Sequence, residues 1–306
     1  MRIGRMAVGQ FARPQSVRPS PGEADAPGAA STSKTTSSRV VRRLRSGSES
    51  ARIDLRFASS GELVVVTISS ETTQPLSSHT IGRVLETYVE TSATPVTVRT
   101  PAITREEAVS FHLHGFATKS VLRLLTCDLT HDSLDLTNGV VEPRGTARLR
   151  RGRSRDLRAC VHVDRRAFGP ENSFDALDLR AALDATDRSR LRVAVLGPGG
   201  PAGPGGPAGT AGTADLGPIV GFAVTGRDGT RGYLQRLAVD PAAAGSGIGS
   251  ALVTDALRWC RARGVRRAVV NTESDNVRAL RLYRRLGFVD IALDLLLLER
   301  RDQPGS

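Results

Sequence analysis

Aromatic side chains are scarce in this 306-residue chain, at 4% of the sequence with a single Trp. Base-stacking platforms for single-stranded nucleic acid are built from such side chains, so that class of partner finds little to hold. Lysine is limited to Lys34 and Lys119. The three cysteines, Cys127, Cys160 and Cys260, stand far apart without a CxxC pair. They read as buried unpaired thiols in a reducing compartment, and the expected location is cytoplasmic. No apolar run approaches the roughly 18 residues that a membrane-spanning helix needs, so no membrane partner is expected.

What is present fits a soluble globular protein with room for one large domain or two modest ones: 39% hydrophobic and 24% charged residues. The formal charge of +12 points toward nucleic acid only weakly. Residues 1–50 carry eight Arg and one Lys against three acids, half of the total excess. The preference for Arg, with heavy use of Ala, Gly and Pro, suggests a G+C-rich genome more than selection for phosphate contacts. Residues 1–48 are Pro-, Ser-, Ala- and Arg-rich without periodicity and are expected to form a disordered tail. A second low-complexity piece, "GPGGPAGPGGPAGTAGTADLG" at 197–217, separates two strand-like runs and reads as a flexible hairpin loop.

From residue 145 the hydrophobic pattern alternates. It predicts a strand at 145–150, helices at 154–168 and 173–186, and strands at 190–196, 218–226 and 232–239. A helix at 247–263, a strand at 267–272, a helix at 275–286 and a last strand at 288–298 follow. Gly264 and Gly287 are placed to stop the two later helices. An earlier stretch, 81–129, repeats the layout of 248–300: both open on Ile-Gly, pass through a strand and a second helix, and reach Gly-Phe before an apolar strand. In that alignment Ile81 matches Ile248, and Gly115–Phe116 match Gly287–Phe288. Three segments are therefore expected: the tail at 1–48, a first unit at 49–135 and a second domain at 145–300.

The stretch "AAAGSGIGSALV" (242–253) places Gly245, Gly247 and Gly249 between a strand and a helix. Bare backbone at a helix N-terminus admits a phosphate group to the unsatisfied N–H donors and to the positive end of the macrodipole. The stretch is not a P-loop, since it lacks the Lys, and not a dinucleotide fingerprint, since Ser250 stands where the last Gly belongs. Together with "NVRALRLYRRLGF", however, "LAVDPAAAGSGIGSALV" resembles the GNAT superfamily of acetyl-CoA-dependent N-acetyltransferases. The family's loop form, [QR]-x-x-G-x-[GA], is met by Gly247 and Gly249. The phrase N-x-x-A-x-x-x-Y-x-x-x-G-F is met by Asn276, Ala279, Tyr283, Gly287 and Phe288.

The resemblance implies an α/β (α+β) GNAT acetyltransferase fold, a mixed central sheet flanked by helices, preceded here by a degenerate half-GNAT unit. It implies acetyl-CoA as cosubstrate, no metal, and a small-molecule or peptide amine as acceptor that attacks the thioester directly. Backbone of Leu237, Ala238 and Val239 would bond the pantetheine arm, which requires their strand to splay from its neighbour. Amides from Gly245 through Ser246, Gly247, Ile248 and Gly249 to Ser250 would cradle the pyrophosphate, and Asn276 would bond the cofactor arm. Tyr283 would protonate the departing thiolate, a role suited to a phenol with an ordinary pKa near 10. The cationic or amide position of the loop is Ala244, and the strand before it offers Gln235 and Arg236 where many members place a carboxylate. Glu273 is left as the candidate base, and Arg278, Arg281 or Arg284 as candidates for the 3′-phosphate. His112 and His114 lack partners at metal-ligand spacing.

In the repeat alignment Ser78, Thr80 and Phe111 fall opposite Gly245, Gly247 and Tyr283, so a second cofactor site is not expected. The layout is similar to that of tandem GNAT proteins, mycothiol synthase among them. The sequence also leaves open a non-catalytic acyl-CoA-binding or protein-interaction module. The acceptor and the oligomeric state are not legible.

Overall fold

The computed structural model describes residues 38–130 (without 59 and 73), 147–197 and 217–302. These divide into two compact units, the first holding 38–122 with 294–302 and the second holding 123–293.

In the first unit three antiparallel strands, β1 (Ser38–Ser46), β2 (Glu49–Phe57) and β3 (Leu63–Ser70), precede helix α1 (Ser78–Tyr88). Strand β4 (Val96–Arg99) then pairs parallel to β3, and helix α2 (Arg105–His112) follows. Strand β1 corrects the expectation of a tail running to residue 48. It is laddered to β2 from Ser38 opposite Phe57 to Ser46 opposite Glu49. Composition hid it because six of its nine residues are Arg or Ser, yet Leu44 is buried and Arg39 meets the Asp54 carboxylate. The remaining tail, 1–37, and the loop at 198–216 lie outside the described residues.

The second unit takes its sheet from β6 (Ala147–Arg151), β7 (Arg188–Leu196), β8 (Ile219–Asp228), β9 (Arg231–Val239) and β10 (Arg267–Glu273), side by side in that order. Helices α3 (Leu157–Asn172) and α4 (Ala176–Asp184) cover one face through Leu157, Cys160, Val163 and Leu179, packed on Phe222 and Val224. Helix α5 (Ile248–Arg261) covers the other, its Ile248 and Leu252 meeting Ala223, which alternates with Phe222 and Val224, and Val220, the extra residue where the β7–β8 register shifts. Helix α6 (Val277–Arg285) and strand β11 (Val289–Asp302) end the chain. Helix α3 outruns its predicted end and bends at Gly169, whose φ of +75° breaks the helical run before Pro170.

Two strand ends are exchanged relative to sequence order. The last residues of β11 complete the first unit: Glu299 to Asp302 pair antiparallel with Arg99 to Val96 of β4, and Leu296 and Leu298 enter that unit's core. In return, residues 123–128 of β5 (Ala117–Asp128) lie next to β10 in the second unit. Thr126 Oγ1 donates to the Ala268 carbonyl at 3.3 Å, and Leu129 N–H donates to Arg266 at 2.8 Å. Leu125, Cys127 and Leu129 join a cluster with Leu257, Cys260, Leu280, Tyr283 and Phe288. The units therefore do not follow the boundaries 49–135 and 145–300. An apolar strand needs two neighbours, and nothing in its own sequence says which open sheet edge supplies them.

Candidate active site

Strand β9 is bonded differently on its two sides. Against β8 it is paired from Arg231 (opposite Asp228) to Val239 (opposite Gly221). Against β10 the parallel ladder covers only Arg231, Gly232 and Tyr233. From Leu234 to Val239 the edge facing β10 is unladdered, which is the splay that the strand was expected to need. The divergence begins at a β-bulge. Val224 faces Arg236 while Thr225 faces Leu234, so Gln235 is the extra residue and the strand bends there. Leu237 and Val239 then pack on the α5 side and Ala238 on the α3 and α4 side.

The bulge also aims two polar side chains away from the splay. Gln235 is buried with Oε1 lacking a partner. Arg236 donates to both oxygens of Asp164 on α3 at 2.8 and 2.7 Å and to the Asn172 carbonyl at 2.9 Å. Its guanidinium lies 3.7 Å from the Phe168 ring centroid and 4.0 Å from that of Phe174. Asp164 is fully buried and accepts the Phe174 N–H as well. This clamp holds the turn between α3 and α4, and it was missed in the sequence. The available signal was Asp164 and Phe168 four residues apart on one helical face.

Past Val239 the chain makes a short 3₁₀ turn, Pro241–Ala243, whose Asp240 accepts the Ala242 N–H at 2.9 Å. Gly245 and Gly247 both sit at φ +82°, a conformation that explains glycine at each position. A Cβ added at Gly245 would meet open space, whereas one at Gly249 would press on Leu282 at 3.3 Å. So Gly245 and Gly247 serve the path of the loop, and Gly249 serves close packing of α5 on α6. Ser246 Oγ is turned inward and donates to Ala243 at 2.6 Å. Gly247 is the N-cap of α5 and brings no side chain to it. The first-turn amides of Ile248, Gly249 and Ser250 have no intrahelical acceptor. The end of α5 is thus a positive pole without a side-chain cap.

Helix α6 is built from capping devices at both ends. Asn276 is its N-cap, with Oδ1 accepting the Ala279 N–H at 3.1 Å, which leaves only its amide NH₂ for another partner. At the other end Gly287, at φ +84°, lets Gly287 N–H reach Arg284 at 3.2 Å and Phe288 N–H reach Tyr283 at 3.1 Å. This is a Schellman motif, and it returns Phe288 onto Tyr283 with ring centroids 5.6 Å apart. Tyr283 is buried, in the cluster that includes Leu234 and Leu237 of the splayed strand. Burial pushes its phenol pKa up, against a smaller opposing effect of the Arg236 charge, so the hydroxyl keeps its proton at neutral pH. Glu273 ends β10, half-buried, with its carbonyl accepting Asn276 N–H at 3.0 Å. Of the four arginines on α6, Arg284 is paired with Asp290 at 2.9 Å, and Arg278, Arg281 and Arg285 are exposed. All three cysteines are buried free thiols, with pKa values pushed up to about 12 by burial. Among the described residues no cluster of His, Cys, Asp or Glu could hold a metal ion.

Residues 202–288 match the sequence model of the Acetyltransferase (GNAT) family. This part of the chain is a GNAT domain. A 57-residue segment is 44% identical to the mycothiol acetyltransferase of Amycolatopsis mediterranei, over 19% of each chain. A longer one, of 152 residues, is 34% identical to the mycothiol acetyltransferase of Actinosynnema mirum and covers 48% of this chain and 45% of that one. The chain thus matches between about a fifth and just under half the length of these curated relatives. Among solved structures, a tandem GNAT protein from the clavulanic acid biosynthesis pathway aligns over 88% of this chain and 85% of its own, with a TM-score of 0.57 at 15% identity. That likeness is one of fold, and it extends well beyond the GNAT domain.

The first unit has the same helix-ending device. Gly115, at φ +76°, closes α2 so that Phe116 N–H donates to Phe111 at 3.3 Å, and the two rings meet edge-on at 5.2 Å. Phe111 and Phe116 therefore stand as Tyr283 and Phe288 do in the GNAT domain, without the hydroxyl. The start of α1 differs more. Residues 78–80, aligned with the glycine loop, are already helical. Ser77 caps them by accepting the Thr80 N–H, and Glu49 Oε2 accepts Ser77 N–H and Oγ–H, each at 3.0 Å. His114 Nε2 lies 2.9 Å from Ser78 Oγ. Burial disfavours the Glu49 carboxylate, but hydrogen bonds from Thr80 and Ser77 outweigh it and hold the pKa below the usual value.

Proposed function

We propose that the chain is an acetyl-CoA-dependent N-acetyltransferase with a single cofactor site in its GNAT domain, moving an acetyl group to a primary amine by direct attack. The observation that carries this reading is the unladdered edge of Leu234–Val239 leading into a helix N-terminus that no side chain caps. A pantetheine arm is an amide chain that can hydrogen-bond such an edge, and a pyrophosphate suits such a helix end. The residues present fit the group. Leu237, Ala238 and Val239 would offer backbone N–H and C=O to the arm, the amides from Gly245 to Ser250 would take the pyrophosphate, and the free NH₂ of Asn276 would reach the arm. Exposed Arg278 and Arg281 would supply charge in place of Ala244.

When bound, acetyl-CoA supplies a thioester acyl group and a thiol leaving group. Tyr283 holds a proton on its phenol oxygen and would give it to the departing sulfur. Glu273 would take a proton from the acceptor ammonium, through water. A lysine side chain, with an ordinary pKa of about 10.4, needs that help more than an α-amine at about 7.7–8.0. The curated relatives are named mycothiol acetyltransferases, which makes a mycothiol-type amine the first acceptor to test. The first unit would be a degenerate copy that binds no cofactor.

The test is acetyl transfer to a panel of primary amines, followed by thiol release, for the wild type and Tyr283→Phe. The proposal expects turnover in the wild type and a fall in kcat with acetyl-CoA affinity nearly unchanged. Acetyl-CoA binding with no turnover on any amine would instead favour an acyl-CoA-binding module, the reading that Ala244 supports.

A further inference from the structure

A cleft of about 980 Å³ lies in the second unit between the end of β6, the turn into α3, the end of α4 and the start of β7. Six arginines line it: Arg150, Arg151, Arg153, Arg155, Arg180 and Arg190, against the single carboxylate of Asp184. Two are neutralised locally, Arg150 by Asp156 at 2.7 Å and Arg190 by Asp255. Arg151, Arg153, Arg155 and Arg180 form no salt bridge among the described residues and are exposed. An excess of three positive charges therefore faces one cleft. Elsewhere Arg43, Arg99, Arg236 and Arg284 each have a carboxylate partner.

The turn that presents these side chains is fixed in place. Gly152 N–H donates to the Leu191 carbonyl at 2.9 Å, and a Cβ on Gly152 would stand 2.4 Å from Leu191 Cγ, so only glycine lets the turn lie this close to β7. Asp156 accepts both Arg150 Nη groups, at 2.7 and 2.9 Å, and the Arg153 N–H at 2.8 Å. The cleft is separate from the glycine loop. It gathers at Ser189–Leu191, whereas the ladder that reaches Val239 crosses β8 at Gly221 and β7 at Ala194, toward the other end of that strand.

We propose that this cleft is a second, independent binding site for a small polyanion carrying phosphate groups. Guanidinium forks match phosphate oxygens in pairs, and a cavity of this size accepts a metabolite rather than a folded partner. The probe is sodium pyrophosphate, titrated calorimetrically into the full chain at low and moderate salt. In Gly247→Trp, where the glycine loop is blocked, the proposal expects one-to-one binding that weakens with salt and falls at least tenfold when Arg155→Ala/Arg180→Ala is added. By itself that double variant, altered only at exposed positions, should bind acetyl-CoA as the wild type does. Absence of binding, loss in Gly247→Trp, or indifference to the double substitution would overturn the proposal. So would an RNA oligonucleotide that binds more tightly than pyrophosphate with the same dependence on Arg155 and Arg180. Since Gly247→Trp separates the two sites, failure here is distinguishable from failure of the acetyltransferase reading.

Discussion

The starts of helices α1 and α5, which the sequence alignment sets opposite each other, are finished in opposite ways. At α1 the chain answers its own positive pole: Ser77 caps the helix, Glu49 brings a carboxylate to the cap, and His114 covers Ser78. At α5 the cap is Gly247 and no side chain arrives. The sequence difference is small, Ser77–Ser78–His79–Thr80 in place of a glycine loop, but it adds a turn of helix where the other unit has open backbone. A protein-borne carboxylate thus stands near the helix start in the first unit, and no side chain caps the helix in the second. The difference teaches that a helix start can be closed or left open by a few local residues, with no rearrangement of the elements around it.

The contrast can be broken or sharpened from several sides. The largest effect is expected from the aromatic pair. Tyr283→Phe should lower kcat by about 10²–10⁴-fold, the usual worth of general acid catalysis, whereas Phe111→Tyr should add no turnover even when Tyr283 is absent. Next come the exchanged strand ends. Leu125→Ala and Leu298→Ala each empty a fully buried site and should cost about 2–5 kcal/mol in denaturant unfolding. Because Leu125 shares a cluster with Tyr283, its variant should also lose activity in proportion to local loosening, and Leu298→Ala should not. Smaller still, Ser77→Ala should cost about 0.5–2 kcal/mol of stability and leave acetyl-CoA affinity unchanged.

The smallest effect concerns acid. The Glu49 pKa is lower in the folded chain than its ordinary 4.5, so its contribution is fully present above about pH 4.5 and is lost as pH falls through the lowered folded value. Stability curves of wild type and Glu49→Gln should therefore converge on acidification. A gap that widened in acid would contradict the assigned role.

How much of this was legible beforehand depends on whether the cause is local. Helix ends, the glycine turn and the strands from 145 onward follow from periodicity and capping residues, and each element lies within a few residues of its expected span. The motif that suggested the GNAT family turns out to be largely a set of helix stops: Asn276 as N-cap, Gly287 as the left-handed residue, Phe288 folding back on Tyr283. Those constraints act over one helix and can be read in one. What could not be read depends on distant partners. The strand at 38–46 looks like tail until β2 is beside it, and the exchange of strand ends needs knowledge of which sheet edges are open. The Asp164–Arg236 pair joins residues 72 positions apart through a bulge that shifts Arg236 to the face of α3.

On the proposed function, the glycine loop at α5, and not the capped start of α1, receives acetyl-CoA. Calorimetric titration of the full chain with acetyl-CoA, beside Gly247→Trp, tests it most directly. One molecule should bind per chain with micromolar affinity, and the substitution should abolish binding while the circular dichroism spectrum is retained. Two molecules per chain, or one that still binds to Gly247→Trp, would contradict it.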